Sequence, residues 1–395
     1  MKEPLHRTGY SFLHESRVLI VDDSEMNCEI IAGYLLKVGV RFIEKAYNGE
    51  EALAKVNKFK PHIVLLDINM PIMDGYECLR RLRADPAHQQ LPVIVQTGVE
   101  DADERIRMFD IGATDLILKP IHFYELIARI SVHLDRGQLI QNLQTYVDRN
   151  EEELMIARKM QWDLLPTQAV QTTAQCNYDI HLEHHFEPSS HLGGDFWGMC
   201  PIDKNRLAIY IVDFSGHGVT AALNTFRLHS ILEQLTEERA DPEKLLSKVN
   251  TLLCRLLPRG QFATMLYGVL DTDESSFTYA SAAAPPFFLG SVETRRIAQH
   301  ETSGMPLGLL SSARHETRSI DFPVGSYMLL YSDALTEARG PDHSLLEEER
   351  AKKMMAASYR PDRGGGFIKE MMINFNNWSP ARPLNDDLTL VWLQR

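Results

Sequence analysis

The chain has 395 residues and a net charge of −13 at pH 7, and this length allows two domains with complete cores. The acidic balance and the lack of a basic recognition helix argue against nucleic acid as the main partner, and no apolar run is long enough to predict a membrane span. The five cysteines have no paired spacing and residues 1–15 lack the pattern of a signal segment, so we expect reduced thiols, a loose N-terminal arm and a cytoplasmic protein.

Apolar runs that end in polar residues alternate with helical patterns in the first third of the chain. The runs cover residues 17–21, 62–67, 92–97 and 115–119. Between the first two, apolar residues at helical spacing follow Cys28 and stop at Gly39. Buried parallel strands have this composition. The alternation predicts an α/β domain with a doubly wound, five-stranded parallel sheet that binds ligands at the carboxyl ends of its strands.

The polar residues at those strand ends suit a phosphorylation site. Asp22 and Asp23 would hold a Mg²⁺ ion beside Asp67, and Asp67 would accept the phosphoryl group. Lys119 would neutralise a phosphoryl oxygen, and Thr97 would donate its hydroxyl hydrogen to the same group. Together they predict a magnesium-dependent phosphoacceptor site at one edge of the sheet.

Residues 16–135 resemble the receiver domain of two-component response regulators, because these polar residues occur in the family's order. The resemblance implies a cognate histidine kinase or phosphotransfer protein as partner, and a cis peptide bond between Lys119 and Pro120. Leu116 stands where the family usually has a switch aromatic, three residues before the lysine. We therefore do not expect signalling to depend on rotation of an aromatic ring at that position.

A heptad pattern occupies residues 136–166. Mostly apolar residues recur there at alternating steps of three and four, over about four repeats. The positions are Ile140, Leu143, Val147, Asn150, Leu154, Ala157, Gln161 and Leu164. The pattern predicts a helical linker that forms a dimeric coiled coil, and so a homodimer; a single amphipathic helix folded back on its own domains is the alternative. A helix between a receiver and an enzyme would control the enzyme through helix register or rotation.

Acidic residues recur at the edges of apolar runs in the rest of the chain. They are Asp195 after two glycines, Asp213 at the end of the run 206–213, Asp333 after the run 327–330, and the pair Asp386 and Asp387 before the run 388–393. Ligand sets made only of oxygen atoms suit Mg²⁺ or Mn²⁺. Two such ions about 3.5–4 Å apart would activate a water molecule and hold a phosphoryl oxygen. The alternative is that each Asp and Gly only marks a turn between strands.

Residues 155–395 resemble the PPM (PP2C-like) serine/threonine phosphatases, in their bacterial SpoIIE/RsbU branch. The motifs that carry the resemblance are Gln161-Trp-Asp-Leu-Leu-Pro166, Gly-Gly-Asp195-Phe-Trp, Asp213-x-Ser-Gly-His-Gly218, Phe262-Ala-Thr-Met-Leu-Tyr267, Gly304-x-Pro-Leu-Gly308, Tyr331-Ser-Asp333-Ala and Asp386-Asp387-Leu-Thr389. The resemblance implies a metal-dependent protein phosphatase with an α-β-β-α sandwich over residues 167–395.

The same resemblance implies roles for the acids and a class of substrate. Asp213 would bridge two Mn²⁺ or Mg²⁺ ions, and Asp195, Asp333 and either Asp386 or Asp387 would complete the site. The substrate would be a phosphoserine or phosphothreonine protein, and in this branch an anti-sigma-factor antagonist of the STAS fold in a partner-switching pathway. A phosphatase-like adaptor that has lost turnover, and binds such a partner in a phosphorylation-dependent way, is the alternative.

Three positions depart from the pattern of the branch. Gly198 stands where a second Asp usually follows the first, Ala284 stands where a His usually ends an Asn-Ala-Gly-His motif, and Ala334 replaces a Gly after Asp333. None of these departures removes a carboxylate assigned to the two metal ions. They predict weaker metal binding rather than loss of activity.

Overall fold

The computed structural model describes residues 11–98, 102–216, 218–360 and 366–395. The chain divides into two compact units, residues 1–150 and 151–395. Most of the predicted N-terminal arm, and His217 of the Ser-Gly-His-Gly motif, lie outside the described residues. The last part of the arm is not loose, because Ser11–Glu15 forms a 3-10 helix and Leu13 is buried in the core of the first unit.

Strands and helices alternate through the first unit. They are β1 (Arg17–Val21), α1 (Glu25–Lys37), β2 (Phe42–Ala46), α2 (Gly49–Phe59), β3 (Ile63–Asp67), α3 (Gly75–Ala84), β4 (Val93–Thr97), α4 (Ala102–Ile111), β5 (Asp115–Leu118) and α5 (Phe123–Trp162). The five strands pair in parallel in the order β2-β1-β3-β4-β5. This is the doubly wound sheet predicted from the sequence.

The local sequence explains why the first helix lies where it does. Ser24 accepts a hydrogen bond from the backbone N–H of Asn27 and so caps the start of α1. Gly39 has a φ of 94°, a left-handed conformation that glycine adopts without a steric penalty, so the chain turns back just after the helix. The cap places Asp22 and Asp23 directly between β1 and α1, at the carboxyl edge of the sheet.

Helix α5 has 40 residues and continues through the predicted linker. Ile140, Leu143 and Val147 of the predicted seam are exposed. The C-terminal end of the seam was predicted wrongly, because Gln161 is buried in the second unit and Leu164 follows the end of the helix. Although α5 is long, neither it nor any other described helix is both long and apolar enough to cross a membrane.

The second unit contains two antiparallel sheets and flanking helices. Its elements are α6 (Gln168–Tyr178), β6 (His181–Glu187), β7 (Asp195–Pro201), β8 (Arg206–Phe214), α7 (Val219–Gln234), α8 (Pro242–Leu256), β9 (Ala263–Asp271), β10 (Ser276–Ala282), β11 (Phe287–Ser291), β12 (Ile297–His300), β13 (Arg318–Asp321), β14 (Ser326–Tyr331), α9 (Ala334–Glu337), α10 (Glu347–Ser358), α11 (Phe367–Trp378) and β15 (Leu388–Gln394). The strand orders are β13-β10-β9-β8-β7 and β12-β11-β14-β15-β6.

Side-chain alternation along the strands separates the core into two layers. In β14, Met328 and Leu330 pack in the cluster that joins the two sheets. Their neighbours Leu329 and Tyr331 pack in a second cluster with residues of α10 and α11. Residues of α7 and α8 pack on the other sheet. The layers are therefore helices, sheet, sheet and helices, as the resemblance implied.

Candidate phosphorylation site and candidate metal centre

Two buried carboxylates in the first unit share one lysine. The Lys119 ammonium lies 2.7 Å from Asp67 Oδ2 and 3.0 Å from Asp22 Oδ2. Asp22 is anchored further, since its Oδ1 atom accepts hydrogen bonds from the backbone N–H of Ser24 and the side-chain amide of Asn27, each at 3.0 Å. Asp67 ends β3, and Lys119 directly follows β5. The lysine thus neutralises charge at the carboxyl edge of the sheet.

Asp22, Asp23 and Asp67 each offer a carboxylate oxygen, and these three atoms lie within 4.8 Å of one another. Among the described residues, no other group of three or more His, Cys, Asp or Glu side chains is this close. Asp23 is exposed while the other two are buried, so a cation would enter from the solvent side. The donor set is made only of oxygen and fits Mg²⁺.

Burial and Lys119 act in opposite directions on the pKa of Asp67. Burial raises the pKa of Asp67, and the hydrogen bond and charge of Lys119 lower it in part. Thr97, which ends β4, is buried at the same edge of the sheet. The Lys119–Pro120 peptide bond is cis, as the resemblance implied. Leu116 is buried in β5. Because it is a leucine, this position has no aromatic ring that could rotate.

The second unit brings two of its predicted acids face to face. Asp195 begins β7, Asp213 lies near the end of β8, and the antiparallel register pairs these two residues directly. The glycines before Asp195 are required by close packing. A Cβ atom on Gly193 would lie 2.7 Å from Asp387 Oδ2, and one on Gly194 would lie 2.8 Å from the carbonyl oxygen of Phe214. The sequence therefore places two carboxylates side by side at the end of a sheet.

Asp195 is the most deeply buried of these acids, with 1% of its surface exposed. Its Oδ2 atom accepts a hydrogen bond of 2.5 Å from the Thr389 hydroxyl group, while its Oδ1 atom has no hydrogen-bond partner in the part of the chain that the structure describes. Burial, and next the charge of Asp213, raise the pKa of Asp195 well above its ordinary value. An acid in this state lacks a positive partner.

The neighbouring acids show the same imbalance. Burial and the charges of Asp333, Asp386 and Asp387 raise the pKa of Asp213 to about 8. Burial and the charge of Asp386 raise the pKa of Asp333 to about 6. Within the described residues, no lysine or arginine forms an ion pair with Asp195, Asp213 or Asp333. These acids act on one another electrostatically, since, in addition to burial, the charge of Asp213 raises the pKa of Asp195 and the charge of Asp333 raises that of Asp213.

The adjacent acids Asp386 and Asp387 have different environments. Asp387 is buried, and its carboxylate accepts three hydrogen bonds: from the Ser189 N–H at 2.6 Å, the Ser189 hydroxyl at 2.8 Å and the Gly194 N–H at 2.5 Å. Asp386 is exposed, and its charge acts on both Asp213 and Asp333. Asp387 therefore holds the loop before Asp195 by hydrogen bonds, whereas Asp386 influences Asp213 and Asp333 through its charge.

Comparisons with known families agree with this geometry. The model of the family "Response regulator receiver domain" matches residues 18–131, and the model of the family "Stage II sporulation protein E (SpoIIE)" matches residues 203–395. The chain joins a receiver domain to a SpoIIE-type, PP2C-like phosphatase domain. The second match contains Asp213, Asp333 and the pair Asp386 and Asp387, whereas Asp195 lies before its first residue.

Individual relatives support the assignment of the PP2C-like part. Phosphoserine phosphatase RsbU of Bacillus subtilis is 26% identical over 276 residues, which cover 69% of this chain and 80% of RsbU. Phosphoserine phosphatase RsbP of the same organism is 26% identical over 191 residues, and the match spans only 46% of RsbP. The solved SiaA-PP2C domain of Pseudomonas aeruginosa has a similar fold, with a TM-score of 0.56 at 16% identity over 64% of this chain and 98% of that domain.

The missing acid at Gly198 has a structural reason in the SpoIIE-type domain. Gly198 pairs with Tyr210 across β7 and β8, and a Cβ atom on Gly198 would lie 2.3 Å from the Tyr210 hydroxyl oxygen. Side chains alternate along a strand, so position 198 faces the opposite side of the sheet from Asp195. A side chain at position 198 would therefore point away from the acid cluster.

Of the other two departures, Ala284 lies between β10 and β11, and Ala334 lies directly after Asp333. Ala283 has a φ of 54°, a left-handed conformation that is unfavourable for alanine. The N–H of Ala284 donates to the Ser281 hydroxyl group at 3.2 Å, so this turn is held by a local side chain. Ala334 begins the short helix α9 directly after Asp333 and is buried.

Gln161 is the residue whose place the sequence did not predict. Its side-chain amide donates to the Gly193 carbonyl at 2.7 Å, and its Oε1 atom accepts from the Gly193 N–H at 3.2 Å. It also donates to the Thr225 hydroxyl group in α7 at 3.3 Å. Heptad spacing placed Gln161 in a dimer seam, but its membership of the Gln161–Pro166 motif was a signal of a different role. The last turn of α5 therefore holds the loop that carries Asp195.

Proposed function

We propose that the protein is a response regulator whose output is a metal-dependent phosphoserine or phosphothreonine protein phosphatase. The observation that supports this most is the pairing of Asp195 with Asp213, since neither carboxylate forms an ion pair with a lysine or arginine among the described residues. Such a pair is costly unless a cation joins it. The relatives named phosphoserine phosphatases support the same reaction.

The acids have separate tasks in this proposal. Asp213, Asp195, Asp333 and Asp386 hold two Mg²⁺ or Mn²⁺ ions, and Asp387 keeps the loop before Asp195 in place. When bound, the two ions would lower the pKa of a water molecule and neutralise charge on the phosphoryl group. The free Oδ1 atom of Asp195 and the all-oxygen donor set fit these ions. Thr389 orients the Asp195 carboxylate through its 2.5 Å hydrogen bond.

The receiver domain supplies the control. A histidine kinase or phosphotransfer protein would phosphorylate Asp67, beside a Mg²⁺ ion held by Asp22 and Asp23, and Lys119 and Thr97 would contact the phosphoryl group. Helix α5 begins four residues after Lys119 and ends one residue after Gln161. Because Gln161 bonds both backbone groups of Gly193, a shift of this helix would move the loop that carries Asp195.

The partners follow from the branch of phosphatases that the chain resembles. We propose a phosphorylated anti-sigma-factor antagonist of the STAS fold as substrate, in a partner-switching pathway. We also propose a homodimer through the exposed apolar residues Ile140, Leu143 and Val147 of α5. Substitution of Leu143 by Asp is expected to halve the mass measured by light scattering, and an unchanged mass would exclude this stretch as the dimer contact.

The catalytic proposal is tested by Mn²⁺-dependent release of phosphate from p-nitrophenyl phosphate and from a phosphorylated STAS protein. We expect Asp213→Asn to lower both rates by at least about 100-fold, because it removes a shared metal ligand. Asp179→Asn is the matched control, since Asp179 is exposed and its left-handed φ of 47° is one that asparagine tolerates. Equal rates for wild type and Asp213→Asn at every metal concentration would exclude the phosphatase proposal, and binding of the phosphoprotein without turnover would support the adaptor instead.

The control proposal is tested by loading Asp67 with beryllium fluoride. We expect the phosphatase rate to change on loading, and Asp67→Ala to abolish the change. Gln161→Ala should also remove the response while phosphorylation of Asp67 by acetyl phosphate continues. A Gln161→Ala protein that responds as the wild type does would show that control does not pass through the end of α5.

A further inference from the structure

An exposed apolar surface lies on one side of the SpoIIE-type domain. Leu223 on α7, Leu256 at the end of α8, and Leu309 and Leu310 in the loop after β12 expose between 45% and 59% of their surface. We call this surface, together with Arg227, Arg255 and Arg259, the acid-free face. Leucines exposed to this extent in neighbouring elements are typical of a surface that binds a partner.

Hydrogen bonds fix the elements of this face relative to one another. Arg227 donates to the Leu256 carbonyl at 3.1 Å and to Asn224 Oδ1 at 3.2 Å, and the Asn224 amide donates to Gln261 Oε1 at 3.0 Å. These bonds join the first half of α7 to the end of α8. The face is therefore a formed surface rather than separate exposed side chains.

The loop that carries two of the leucines is fixed by one buried asparagine. Asn250 in α8 donates to the Leu310 carbonyl at 2.9 Å and accepts from the Gly308 N–H at 2.9 Å. The backbones of Leu307 and Ala263 also exchange two hydrogen bonds, at 2.8 and 3.0 Å. The loop is thereby held against α8 and the start of β9.

Hydrogen bonds between Ser215 and Phe262 connect the acid-free face to the acid cluster. Ser215, two residues after Asp213, donates its backbone N–H to the Phe262 carbonyl and accepts from the Phe262 N–H at its hydroxyl oxygen, each at 2.9 Å. Phe262 directly follows Gln261, which accepts the hydrogen bond from Asn224 of α7. A protein whose phosphorylated residue reaches Asp213 would therefore lie close to the acid-free face.

The charge of the face is opposite to that of the chain. Residues 218–232, 244–262 and 302–315 contain no Asp or Glu, although the chain has 54 of these residues and a net charge of −13. The basic residues in the three segments are Arg227, Lys244, Lys248, Arg255, Arg259 and Arg314. Among the described residues, Arg227, Arg255 and Arg259 form no ion pair with an acid, so their charges are available to a partner.

We propose that the acid-free face docks the phosphoprotein substrate, and that it selects a substrate with acidic and apolar residues around the phosphorylated serine or threonine. This inference rests on the proposed phosphatase function and adds the chemistry of the substrate surface. The leucines bury apolar surface of the partner, and the three arginines attract its acidic residues. The chain is acidic and repels other acidic proteins over most of its surface. At the acid-free face, close to the proposed phosphatase site, it would instead attract an acidic substrate.

Two synthetic phosphoserine peptides with the same apolar residues test the proposal, one flanked by Asp and Glu and the other by Lys and Arg. Their binding to the full chain is measured by fluorescence anisotropy in EDTA, which separates docking from turnover. Hydrolysis of both peptides and of p-nitrophenyl phosphate is then measured with Mn²⁺. The test variant carries both Arg255→Glu and Arg259→Glu. The matched control is Lys204→Glu, because Lys204 is exposed and lies in the turn between β7 and β8.

We expect the wild type and Lys204→Glu to bind the acidic peptide at least about tenfold more tightly than the basic one. The double variant should lose or reverse this preference while its rate on p-nitrophenyl phosphate is unchanged. Equal binding of both peptides by the wild type, or an unchanged preference in the double variant, would overturn the docking proposal. Absence of p-nitrophenyl phosphate hydrolysis in the wild type would instead overturn the proposed function, and the anisotropy result would still stand.

A second copy of the chain is the other possible occupant of the face. Leu309→Asp is expected to weaken binding of the acidic peptide at least about fivefold without changing the mass in light scattering. A lower mass together with unchanged peptide binding would show that the face joins two copies, and the docking proposal would be wrong.

Discussion

The receiver domain and the SpoIIE-type domain each gather acids at the end of a sheet, but they treat the charge differently. In the receiver, Lys119 contacts both Asp22 and Asp67 at 3.0 Å or less. In the SpoIIE-type domain, Asp195 and Asp213 have no lysine or arginine partner among the described residues, and their pKa values are raised. The first site is neutralised in part by a lysine of the chain itself, and the second depends on ions or on protons.

This difference predicts different responses to metal. A site that carries its own cation is formed before Mg²⁺ arrives, so metal binding should change its structure and stability little. A cluster without a cation retains protons, and metal binding must release them. Four predictions test this contrast, in order of decreasing size.

Removal of the Lys119 ammonium group should have the largest effect on stability. Lys119→Met leaves the buried carboxylates of Asp22 and Asp67 without their ion pair, and we expect it to lower the free energy of unfolding of the receiver by about 4 kcal/mol. Chemical denaturation followed by circular dichroism measures this change, and millimolar Mg²⁺ should restore part of it. A loss below about 1 kcal/mol would show that the lysine does not balance the site.

The acid cluster should make the metal-free SpoIIE-type domain less stable as the pH rises. The pKa of Asp213 is raised to about 8 in the folded state, so between about pH 4 and pH 8 the folded state binds protons that the unfolded state has released. In EDTA, we expect the free energy of unfolding to fall by on the order of 3 kcal/mol across this range. Asp213→Asn should flatten the slope, and Mn²⁺ should stabilise the wild type more at pH 8 than at pH 6.

Substitutions of the adjacent residues Asp386 and Asp387 should affect different measurements, metal affinity for Asp386 and stability for Asp387. Asp387→Asn disturbs three hydrogen bonds to Ser189 and Gly194, and we expect it to cost about 2 kcal/mol of stability. Asp386→Asn should leave the melting temperature nearly unchanged but raise the Mn²⁺ concentration needed for half-maximal activity. The reverse pattern in calorimetry and metal titration would exchange the two roles.

The smallest expected effect concerns the backbone at Ala283, after β10. Ala283 has a left-handed φ of 54°, so Ala283→Gly should raise the stability of the SpoIIE-type domain by up to about 1 kcal/mol in thermal denaturation. Ala313→Gly provides a comparison at an alanine that does not have a positive φ, and it should not stabilise. A stabilisation by both substitutions would point to a cause other than backbone strain.

The sequence predicted the strands and their acidic ends well, because burial, period and glycine placement are local properties. It placed Asp67, Asp195 and Asp213 at strand ends, as found. It could not separate Asp386 from Asp387, since their difference comes from Ser189 and Gly194, which lie far away in the chain.

Other parts of the site also depended on distant packing. The heptad spacing extended to Gln161, but the backbone of Gly193 decided where this side chain lies. Weaker metal binding, predicted from the absence of an acid at Gly198, stays a prediction; the structure adds that Tyr210 of the neighbouring strand fills the space beside this glycine. In each case the deciding partner belongs to another element, so neither the heptad spacing nor the absence of one acid could identify that partner.

The hydrogen bonds between Ser189 and Asp387 join residues that are 198 positions apart. During synthesis on the ribosome, the loop that leads to Asp195 therefore cannot be fixed until Asp387, which directly precedes β15, has been made. A growing chain can complete its receiver domain long before this point. If the proposed function holds, the site of control is formed before the site of catalysis.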